Sequence, residues 1–162
     1  MNKLIIALTA LIVAFNGFNV KWIYNEPYEI AGLSESDFNF ISSVVEAESN
    51  RSTDPDDLRG RILIAEVILN RVNSPLFAGD TIPEILTAPG QFSTVVNGHS
   101  VVSSTALSDQ AVIEAIREIE TGAAPNVLFF NCIGYNYGTP YRNPDTADGN
   151  YGGNYFMVIE EG

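Results

Sequence analysis

Apolar residues recur with the period of an α-helix in two long segments of the chain. In residues 34–49, Ile41, Val44 and Val45 fall on one face at about 100° per residue, which predicts an amphipathic helix. In residues 56–73, apolar side chains cover most of the circumference, a pattern typical of a buried helix. The sequence therefore predicts a domain organised around a central helix, with an amphipathic helix before it.

Capping residues mark where the predicted helices begin and end. Ser, Thr and Asp side chains accept hydrogen bonds from the free N–H groups of a first helical turn. The predicted N-caps are Ser34, Thr53 or Asp54, Thr81 and Ser108. Asp37 completes a variant capping box in the first helix, and Pro55 suits the first position of the second. The third helix is short and ends near Thr87, and Gly122 ends the fourth.

The C-terminal part of the chain changes to a strand pattern. Residues 126–133 and 154–160 are short apolar runs that predict two strands. Residues 134–153 between them are rich in Gly, Asn, Tyr and Pro, which favours loop, and Asn97-Gly98 is a turn signal further upstream. The predicted fold class is α+β, mostly helical, with a small antiparallel sheet formed by the C-terminal strands.

The N-terminal residues 1–17 have the pattern of an export signal. Lys3 supplies a positive charge, and the 12-residue apolar run LIIALTALIVAF follows it. A transmembrane helix needs about 20 apolar residues, so this run indicates a signal peptide, or a retained signal anchor, since the cleavage pattern is poor. A buried N-terminal helix is the alternative. Residues 18–33 are interpreted as a spacer, and residues 34–162 as one domain, exported to the periplasm, cell wall or extracellular space.

Composition and charge exclude several classes of function. The net charge of −12 argues against binding to nucleic acid and against tight binding to an anionic membrane surface, other than through a retained N-terminal segment. One His and one Cys cannot build the usual zinc sites, and no glycine-rich phosphate loop is present. The sequence therefore predicts no metal and no cofactor, and we expect a monomer.

Two glutamates near the end of the first predicted helix have different surroundings. Glu48 lies on the helical face between Val44 and Val45, whereas Glu46 lies on the polar side and is expected to be a solvated surface charge. Burial favours the protonated form of a carboxyl group, which is the form a general acid needs. Glu48 is therefore the candidate acid. The alternative is that its side chain merely ends the helix and points to solvent.

Amide and aromatic side chains are unusually frequent in this sequence. The amides are Asn70, Gln91, Asn131, Asn136 and Asn154. The aromatics are Phe92, Phe129, Phe130, Tyr135, Tyr137, Tyr141, Tyr151 and Tyr155. Amides form hydrogen bonds with sugar hydroxyl and N-acetyl groups, and aromatic rings contact the apolar faces of pyranose rings, so this supply suits a sugar polymer. Core packing is the alternative for each ring, and it is the favoured interpretation for Phe92, Phe129 and Phe156.

A thiol-based site is the other chemistry that the sequence allows. Cys132 and His99 are the only cysteine and histidine, and together they suggest a nucleophile and base that cleave a peptide bond. Cys132, however, falls in an apolar strand pattern, where a cysteine is usually a packing residue. His99 is interpreted as a surface residue beside the Asn-Gly turn.

Five segments, in this order, resemble the SleB-type cell-wall hydrolase family. They are VVEAES (44–49), RGRILIAEVILNRVNSPLF (59–77), TIPEILTAPGQFS (81–93), LFFN (128–131) and YGGNYF (151–156). The resemblance covers about residues 40–157. It implies a lysozyme-like fold that acts on peptidoglycan glycan strands.

The resemblance also assigns roles to residues. The family's catalytic glutamate lies in an A-E-A/S element at the end of the first helix, which here is Ala47-Glu48-Ser49. It implies that Gln91, Phe92 and Asn131 line the cleft and bind substrate. Tyr135, Asn154 and Tyr155, taken from the amides and aromatics above, complete the predicted substrate-binding set. Glu66 and Asn70 on the central helix are expected to support the site from behind.

This sequence departs from the family pattern at three places. The loop after Glu48 is longer and more acidic than usual, Asn154 stands where the family often has His, and Cys132 replaces a common proline. The first departure is expected to alter access for the glycan, and the second removes a polar contact. None of the three changes the candidate acid.

The expected reaction is cleavage between N-acetylmuramic acid and N-acetylglucosamine. Hydrolases normally use a second carboxylate, but no motif pairs a second acid with Glu48, and Glu66, Asp145 and Asp148 are candidates only because they are present. A lytic transglycosylase needs one glutamate, because the muramic acid 6-hydroxyl attacks the anomeric carbon, so the sequence favours that mechanism. Muramidase hydrolysis, or a non-catalytic glycan-binding or virion structural module on the same fold, remain alternatives.

Overall fold

The computed structural model describes residues 25–49, 58–134, 137–142 and 150–159. The chain order is α1 (Pro27–Ala31), α2 (Glu35–Ser49), α3 (Leu58–Val72), α4 (Ile82–Thr87), β1 (Val95–Val96), β2 (His99–Ser100), α5 (Ala106–Thr121), β3 (Val127–Asn131), β4 (Thr139–Pro140), β5 (Asn150–Tyr151) and β6 (Asn154–Val158). Helices α2, α3 and α5 pack on one another, and strand β3 lies against α3.

Helix α2 forms as its amphipathic pattern predicts. Its apolar face, which includes Ile41, Val44 and Val45, is fully buried. The hydroxyl of Ser34 accepts a hydrogen bond from Asp37 N–H and donates one to the Asp37 carboxylate, which confirms the predicted start. The buried face directs the last turn of α2 towards the interior, so Glu48 lies at the edge of the core.

Helix α3 is the buried centre of the domain, which confirms that prediction. Residues from Gly60 to Ile68 are all buried, and α3 contacts α2, α4, α5 and β3. A helix surrounded by protein on nearly every side must find partners for its polar side chains. The predicted capping residues before α3, Thr53, Asp54 and Pro55, lie outside the described residues.

The start of helix α5 differs from the prediction. Ser108 is not the N-cap; Thr105 is, because its hydroxyl accepts a hydrogen bond from Ser108 N–H at 3.2 Å. The Ser108 hydroxyl in turn accepts from Thr105 N–H at 2.8 Å, so a serine takes the part that Glu or Gln usually has in a capping box. Gly122 ends the helix with a φ of 70°, as predicted.

Short turns and caps shape the segment between α3 and α5. Thr81 caps α4 through a reciprocal pair of bonds with Glu84, as predicted. Strands β1 and β2 form a hairpin whose turn is Asn97-Gly98, with φ angles of 53° and 80°. Positive φ at both positions is the geometry that Asn-Gly favours in a tight hairpin, so the turn signal is confirmed.

The C-terminal strands form an antiparallel sheet in which β6 pairs with β3, β4 and β5. This confirms the α+β class with a small antiparallel sheet from the C-terminal strands. The prediction that residues 134–153 are all loop is wrong, because Thr139–Pro140 and Asn150–Tyr151 both pair with β6. These pairs are two residues long, too short to give a strand periodicity in the sequence.

Two other expectations differ from the structure. Part of the stretch interpreted as a spacer forms α1, and its Ala31 packs in the hydrophobic core. Cys132 is exposed and follows the end of β3, so its interpretation as a buried strand residue is wrong. In the part of the chain that the structure describes, no helix has the length and apolarity needed to cross a bilayer. The proposed signal, residues 1–17, lies outside that part.

Candidate active site

Glu48 is half-buried, at the next-to-last position of α2. Its Oε1 accepts a hydrogen bond of 2.6 Å from the hydroxyl of Thr94, which lies between Phe92 and the β1–β2 hairpin. No hydrogen bond from a described residue reaches the other oxygen, Oε2. The carboxyl group is therefore held at one oxygen and open at the other, as a group that transfers a proton to a ligand must be.

Glu46 is not the solvated charge that its helical position predicted. Its side chain is 19% exposed, and its carboxylate accepts a 2.8 Å hydrogen bond from the Thr105 hydroxyl and lies 3.6 Å from Arg61 Nε. The prediction failed because α5 covers the polar side of α2 at this point. Glu46 is thus occupied in joining α2 to α3 and α5.

Arg71, near the end of α3, is a buried cation whose partners could not be predicted from the sequence. It is only 5% exposed, and its guanidinium lies over the rings of Phe77, Phe92 and Phe129 at 4.8, 5.2 and 5.6 Å. Its Nε donates a 2.9 Å hydrogen bond to the carbonyl oxygen of Leu128. Cation–π contacts and this bond fix the side chain in one position.

Arg71 also acts on the candidate acid. Burial lowers the pKa of Arg71 to about 10, and the negative charge of Glu48 acts in the opposite direction. Arg71 stays protonated at neutral pH, so Glu48 has a positive charge in its surroundings.

Gln91 and Phe92 follow α4, and the structure places them differently. Gln91 is exposed, and its Oε1 accepts a 3.1 Å hydrogen bond from Arg71 Nη1. Phe92 is 5% exposed and packs against Phe130, with ring centroids 6.3 Å apart. Gln91 is therefore available to a ligand, whereas Phe92 lies beneath the site and contacts Arg71 rather than offering a ring face.

The two asparagines at the β3 side have structural contacts. Asn131, half-buried at the end of β3, uses Oδ1 to accept hydrogen bonds from the N–H groups of Ile133 and Gly134 at 2.8 and 2.9 Å. Asn70 donates to the carbonyl oxygens of Pro125 and Val127 at 3.2 and 3.0 Å. Asn70 thus ties α3 to β3, and only the amide nitrogen of Asn131 is left for a ligand.

The C-terminal candidates are divided between core and surface. Asn154 is 5% exposed and lines a small cavity with Ser49, Arg61 and Tyr151, so a long polymer does not reach it directly. Tyr155 is half-buried and is paired with Asn131 across β3 and β6. Tyr135 lies outside the described residues.

Glu66 is a buried acid at the middle of α3, away from solvent. It is 0% exposed, and Arg59 Nη1 lies 3.8 Å from its Oε1. Burial, and next the neighbouring Glu118 carboxylate, raise the pKa of Glu66 to about 8, against the effect of Arg59. Arg59 itself donates two hydrogen bonds to Glu118 at 2.7 and 2.8 Å. Glu66 therefore has no direct route to a polymer, and its supporting role stays a prediction.

The described residues were also compared with the ligand sets of metal sites. Within the described ranges, no group of three His, Cys, Asp or Glu side chains is arranged to hold a metal ion. The described groups that act on Glu48 are the Thr94 hydroxyl, by a hydrogen bond, and the Arg71 guanidinium, by its charge.

A family model for cell wall hydrolases matches residues 56–146, more than half of the chain. The chain belongs to the cell wall hydrolase family. The matched region includes α3, Gln91 and Thr94, and Glu48 lies before it.

Known relatives agree with this assignment. The chain is 31% identical over 116 residues to a spore cortex-lytic enzyme of Bacillus subtilis, covering 72% of this chain, and 29% identical to one of Oceanobacillus iheyensis, with the same coverage. These matches cover 32% and 36% of the relatives, so this cell wall hydrolase spans about a third of their length. The crystal structure of the catalytic domain of the Bacillus cereus SleB protein superposes with a TM-score of 0.54 at 26% identity, covering 76% of this chain and 91% of that one.

Sequence reasoning missed two residues of this cell wall hydrolase that contact or face the candidate site, Thr94 and Arg71. Arg71 did give a signal, since an arginine within a helix that is apolar on nearly all sides requires a buried partner. Thr94 directly follows the PGQFS segment, but nothing local indicates that its hydroxyl meets a helix 46 positions earlier. Only the fold brings these groups together.

Proposed function

We propose that this protein cleaves the glycan strands of peptidoglycan between N-acetylmuramic acid and N-acetylglucosamine, with Glu48 as the catalytic acid. The observation that carries the proposal is the Glu48 carboxyl group, held through one oxygen by Thr94 and unbonded at the other by any described residue. Membership of the cell wall hydrolase family supports the choice of polymer.

Glu48 begins the reaction by protonating the glycosidic oxygen as an oxocarbenium-like state develops at the anomeric carbon. The proton leaves from Oε2, and negative charge develops on the carboxylate. The Thr94 hydroxyl and the positive charge of Arg71 are already in place to stabilise that anion. Groups fixed before the reaction need no reorganisation at the moment of proton transfer.

The second step is proposed to be attack by the muramic acid 6-hydroxyl, with the Glu48 carboxylate accepting its proton, which gives a 1,6-anhydro sugar. Hydrolysis would normally require a second carboxylate about 5 Å away for retention, or about 6.5–9.5 Å for inversion. Glu66 is 0% exposed and Glu46 is held by Arg61 and Thr105, so neither is placed for that role. Asp145 and Asp148 lie outside the described residues.

Neutral groups are proposed to bind the glycan, since a net charge of −12 would repel an anionic polymer. Gln91, Asn131 and Tyr155 supply hydrogen-bonding groups near the edge of β3. Tyr137 is 63% exposed and stacks on Phe129 at 5.6 Å between centroids, which offers an aromatic surface to a sugar ring.

A wall polymer as substrate requires the protein to leave the cytoplasm. We therefore propose that residues 1–17 direct export, as a cleaved signal or a retained anchor, and that residues 34–162 act as a monomeric catalytic domain. Fractionation of cells that express the full chain tests this proposal, and recovery of all the protein in the cytoplasm would contradict it.

Digestion of purified sacculi, with mass spectrometry of the products, tests the reaction. Anhydro-muropeptides are the expected products. Reducing muramic acid ends would show that water, and not the 6-hydroxyl, attacks, which would make the protein a muramidase. Binding without any product over long incubation would show a non-catalytic module and overturn the proposal.

A further inference from the structure

The contact between Arg71 and Gln91 determines which end of the Gln91 amide faces outward. A guanidinium has only donors, so the Gln91 atom that it contacts at 3.1 Å is the carbonyl oxygen Oε1. The amide nitrogen, Nε2, then points away from Arg71. No described residue accepts a hydrogen bond from Nε2, so Gln91 presents its two N–H donors outward, while its oxygen is turned towards Arg71.

Arg71 is rigid enough to enforce this orientation. It is 5% exposed, surrounded by three phenyl rings, and bonded through Nε to the carbonyl oxygen of Leu128. Gln91, by contrast, is exposed, and an exposed glutamine normally samples several rotamers. The buried cation therefore prepares a surface amide for one kind of partner, a group with an acceptor oxygen.

A cavity of about 360 Å³ lies next to Gln91. It is lined by Leu76, Phe77, Ala78, Ile85, Ala88, Pro89, Gln91 and Phe129. Gln91 contributes the only polar side chain of this lining. An apolar pocket with one pair of N–H donors suits a small group that combines a methyl with a carbonyl oxygen.

Arg71 connects this pocket with the candidate acid electrostatically. Its guanidinium donates a hydrogen bond to Gln91, which lines the pocket, and the negative charge of Glu48 acts on the same guanidinium.

We propose that this pocket binds the acetamido group of an N-acetylated sugar, with Gln91 Nε2 donating to the acetyl carbonyl oxygen and Arg71 acting as the positioning residue for Gln91. The identity of the sugar as part of peptidoglycan rests on the proposed function. Recognition of the acetamido group itself rests on the pocket and the Arg71–Gln91 contact.

The test compares binding of N-acetylated chitotetraose and of cellotetraose, a neutral analogue with hydroxyl groups in place of acetamido groups, to the Glu48→Gln protein by titration calorimetry. The acetylated sugar should bind at least about 10-fold more tightly, the effect of a well-formed hydrogen bond and a buried methyl. Equal affinities would overturn the proposal.

Gln91→Glu removes the outward donors while keeping an oxygen for Arg71, so it should lose the roughly 10-fold preference without loss of folding. Gln110→Glu on α5 adds the same charge outside the pocket lining and should retain the preference. If Gln91→Glu binds both sugars as the Glu48→Gln parent does, Gln91 is not the acetamido donor.

Arg71→Lys keeps the charge but not the fixed two-bond geometry, so it tests positioning. In the otherwise wild-type chain, it should raise KM for sacculi about 10-fold more than it lowers kcat, and should add no further KM effect in a Gln91→Ala background. Additive effects on KM would show that Arg71 does not act through Gln91. If Arg71→Lys does not fold, the Gln91→Glu result alone decides the proposal.

Sacculi that are N-deacetylated at glucosamine only, or at muramic acid only, identify which sugar occupies the pocket. The proposal is supported if the wild type cleaves either deacetylated substrate more slowly than intact sacculi and Gln91→Glu shows no such difference. Unchanged cleavage of both would refute the acetamido pocket while leaving the proposed function intact. If the protein binds sugars in an acetamido-dependent way but cleaves no sacculi, the acetamido pocket stands and the proposed function is refuted.

Discussion

The hydroxyl of Thr94 donates a 2.6 Å hydrogen bond to Oε1 of Glu48 and so joins the last turn of α2 to the segment that leads into the β1–β2 hairpin. The two residues are 46 positions apart. Helix α2 and the turn after α4 must both be in place before this bond forms. The orientation of the candidate acid therefore depends on tertiary packing, not on α2 alone.

Replacing Thr94 with valine removes this hydroxyl with little change in shape. A hydrogen bond to a charged group contributes about 1.5–3 kcal/mol, so kcat on sacculi should fall roughly 10- to 100-fold. KM should change little, because the bond positions the acid rather than the glycan. Steady-state kinetics on solubilised glycan strands measure both quantities.

Thr121→Val is the matched control, since the Thr121 hydroxyl donates only to backbone carbonyl oxygens at the end of α5. Its kcat should equal that of the parent. A Thr94→Val protein with full kcat would show that Glu48 does not need this bond.

Glu48→Gln should abolish cleavage, because an amide in the same position has no proton to give at neutral pH. The loss should be at least about 10³-fold in kcat, with an unchanged circular dichroism spectrum and melting temperature within a few degrees. Substantial residual activity in this variant would exclude Glu48 as the acid.

Glu46→Gln is the companion variant two residues away. It weakens the contacts with Arg61 and Thr105, so a stability loss of about 1 kcal/mol is expected, with most of the activity retained. If this variant were as inactive as Glu48→Gln, the acid would have to be reassigned between the two.

Local sequence signals predicted much of the fold because the determining interactions are local. The Ile41, Val44 and Val45 stripe defines one face of α2, and the caps at Ser34 and Thr81 are bonds within three residues. The N-cap of α5 was predicted at Ser108 but is Thr105. The signal was missed because the partner of Thr105 in this capping box is Ser108, and not the usual Glu or Gln.

The site was less predictable because its contacts join distant elements. The resemblance placed Phe92 in the cleft, whereas the ring is buried beneath Arg71, as core packing would have it. Glu46 has a polar helical position, yet α5 covers it through Thr105. Periodicity reports the face of a helix on which a residue lies, and cannot report what a later segment brings to that face.

Asn70→Ala should destabilise the fold because it leaves the carbonyl oxygens of Pro125 and Val127 without their donor. We expect a loss of about 1–3 kcal/mol in the free energy of unfolding, measured by urea denaturation. Asn73→Ala is the control, since Asn73 donates only to Leu69 in an exposed position, and it should cost less than about 0.5 kcal/mol. Equal losses would show that Asn70 does not tie α3 to β3.

Glu66→Gln should change the pH dependence of stability in a defined direction. The ordinary pKa of Glu66 is 4.5, and the fold raises the pKa to about 8, so the folded state holds this proton more tightly than the unfolded chain does. The stability associated with the neutral carboxyl is present below pH 4.5 and is lost as the pH rises towards 8, at up to ~1.4 kcal/mol per pH unit. Above pH 8 no further loss is expected.

The glutamine variant has no proton to lose at this position, so its stability should decline less between pH 5 and 8. Urea denaturation at several pH values should show the two proteins similar at pH 4.5 and the variant more stable at pH 8 by up to a few kcal/mol. Glu120→Gln, on the exposed side of α5, removes one charge without burial and serves as the control. Parallel pH curves for wild type and Glu66→Gln would show that Glu66 ionises in the folded protein as readily as it does in the unfolded chain, and that Arg59 offsets the effect of burial.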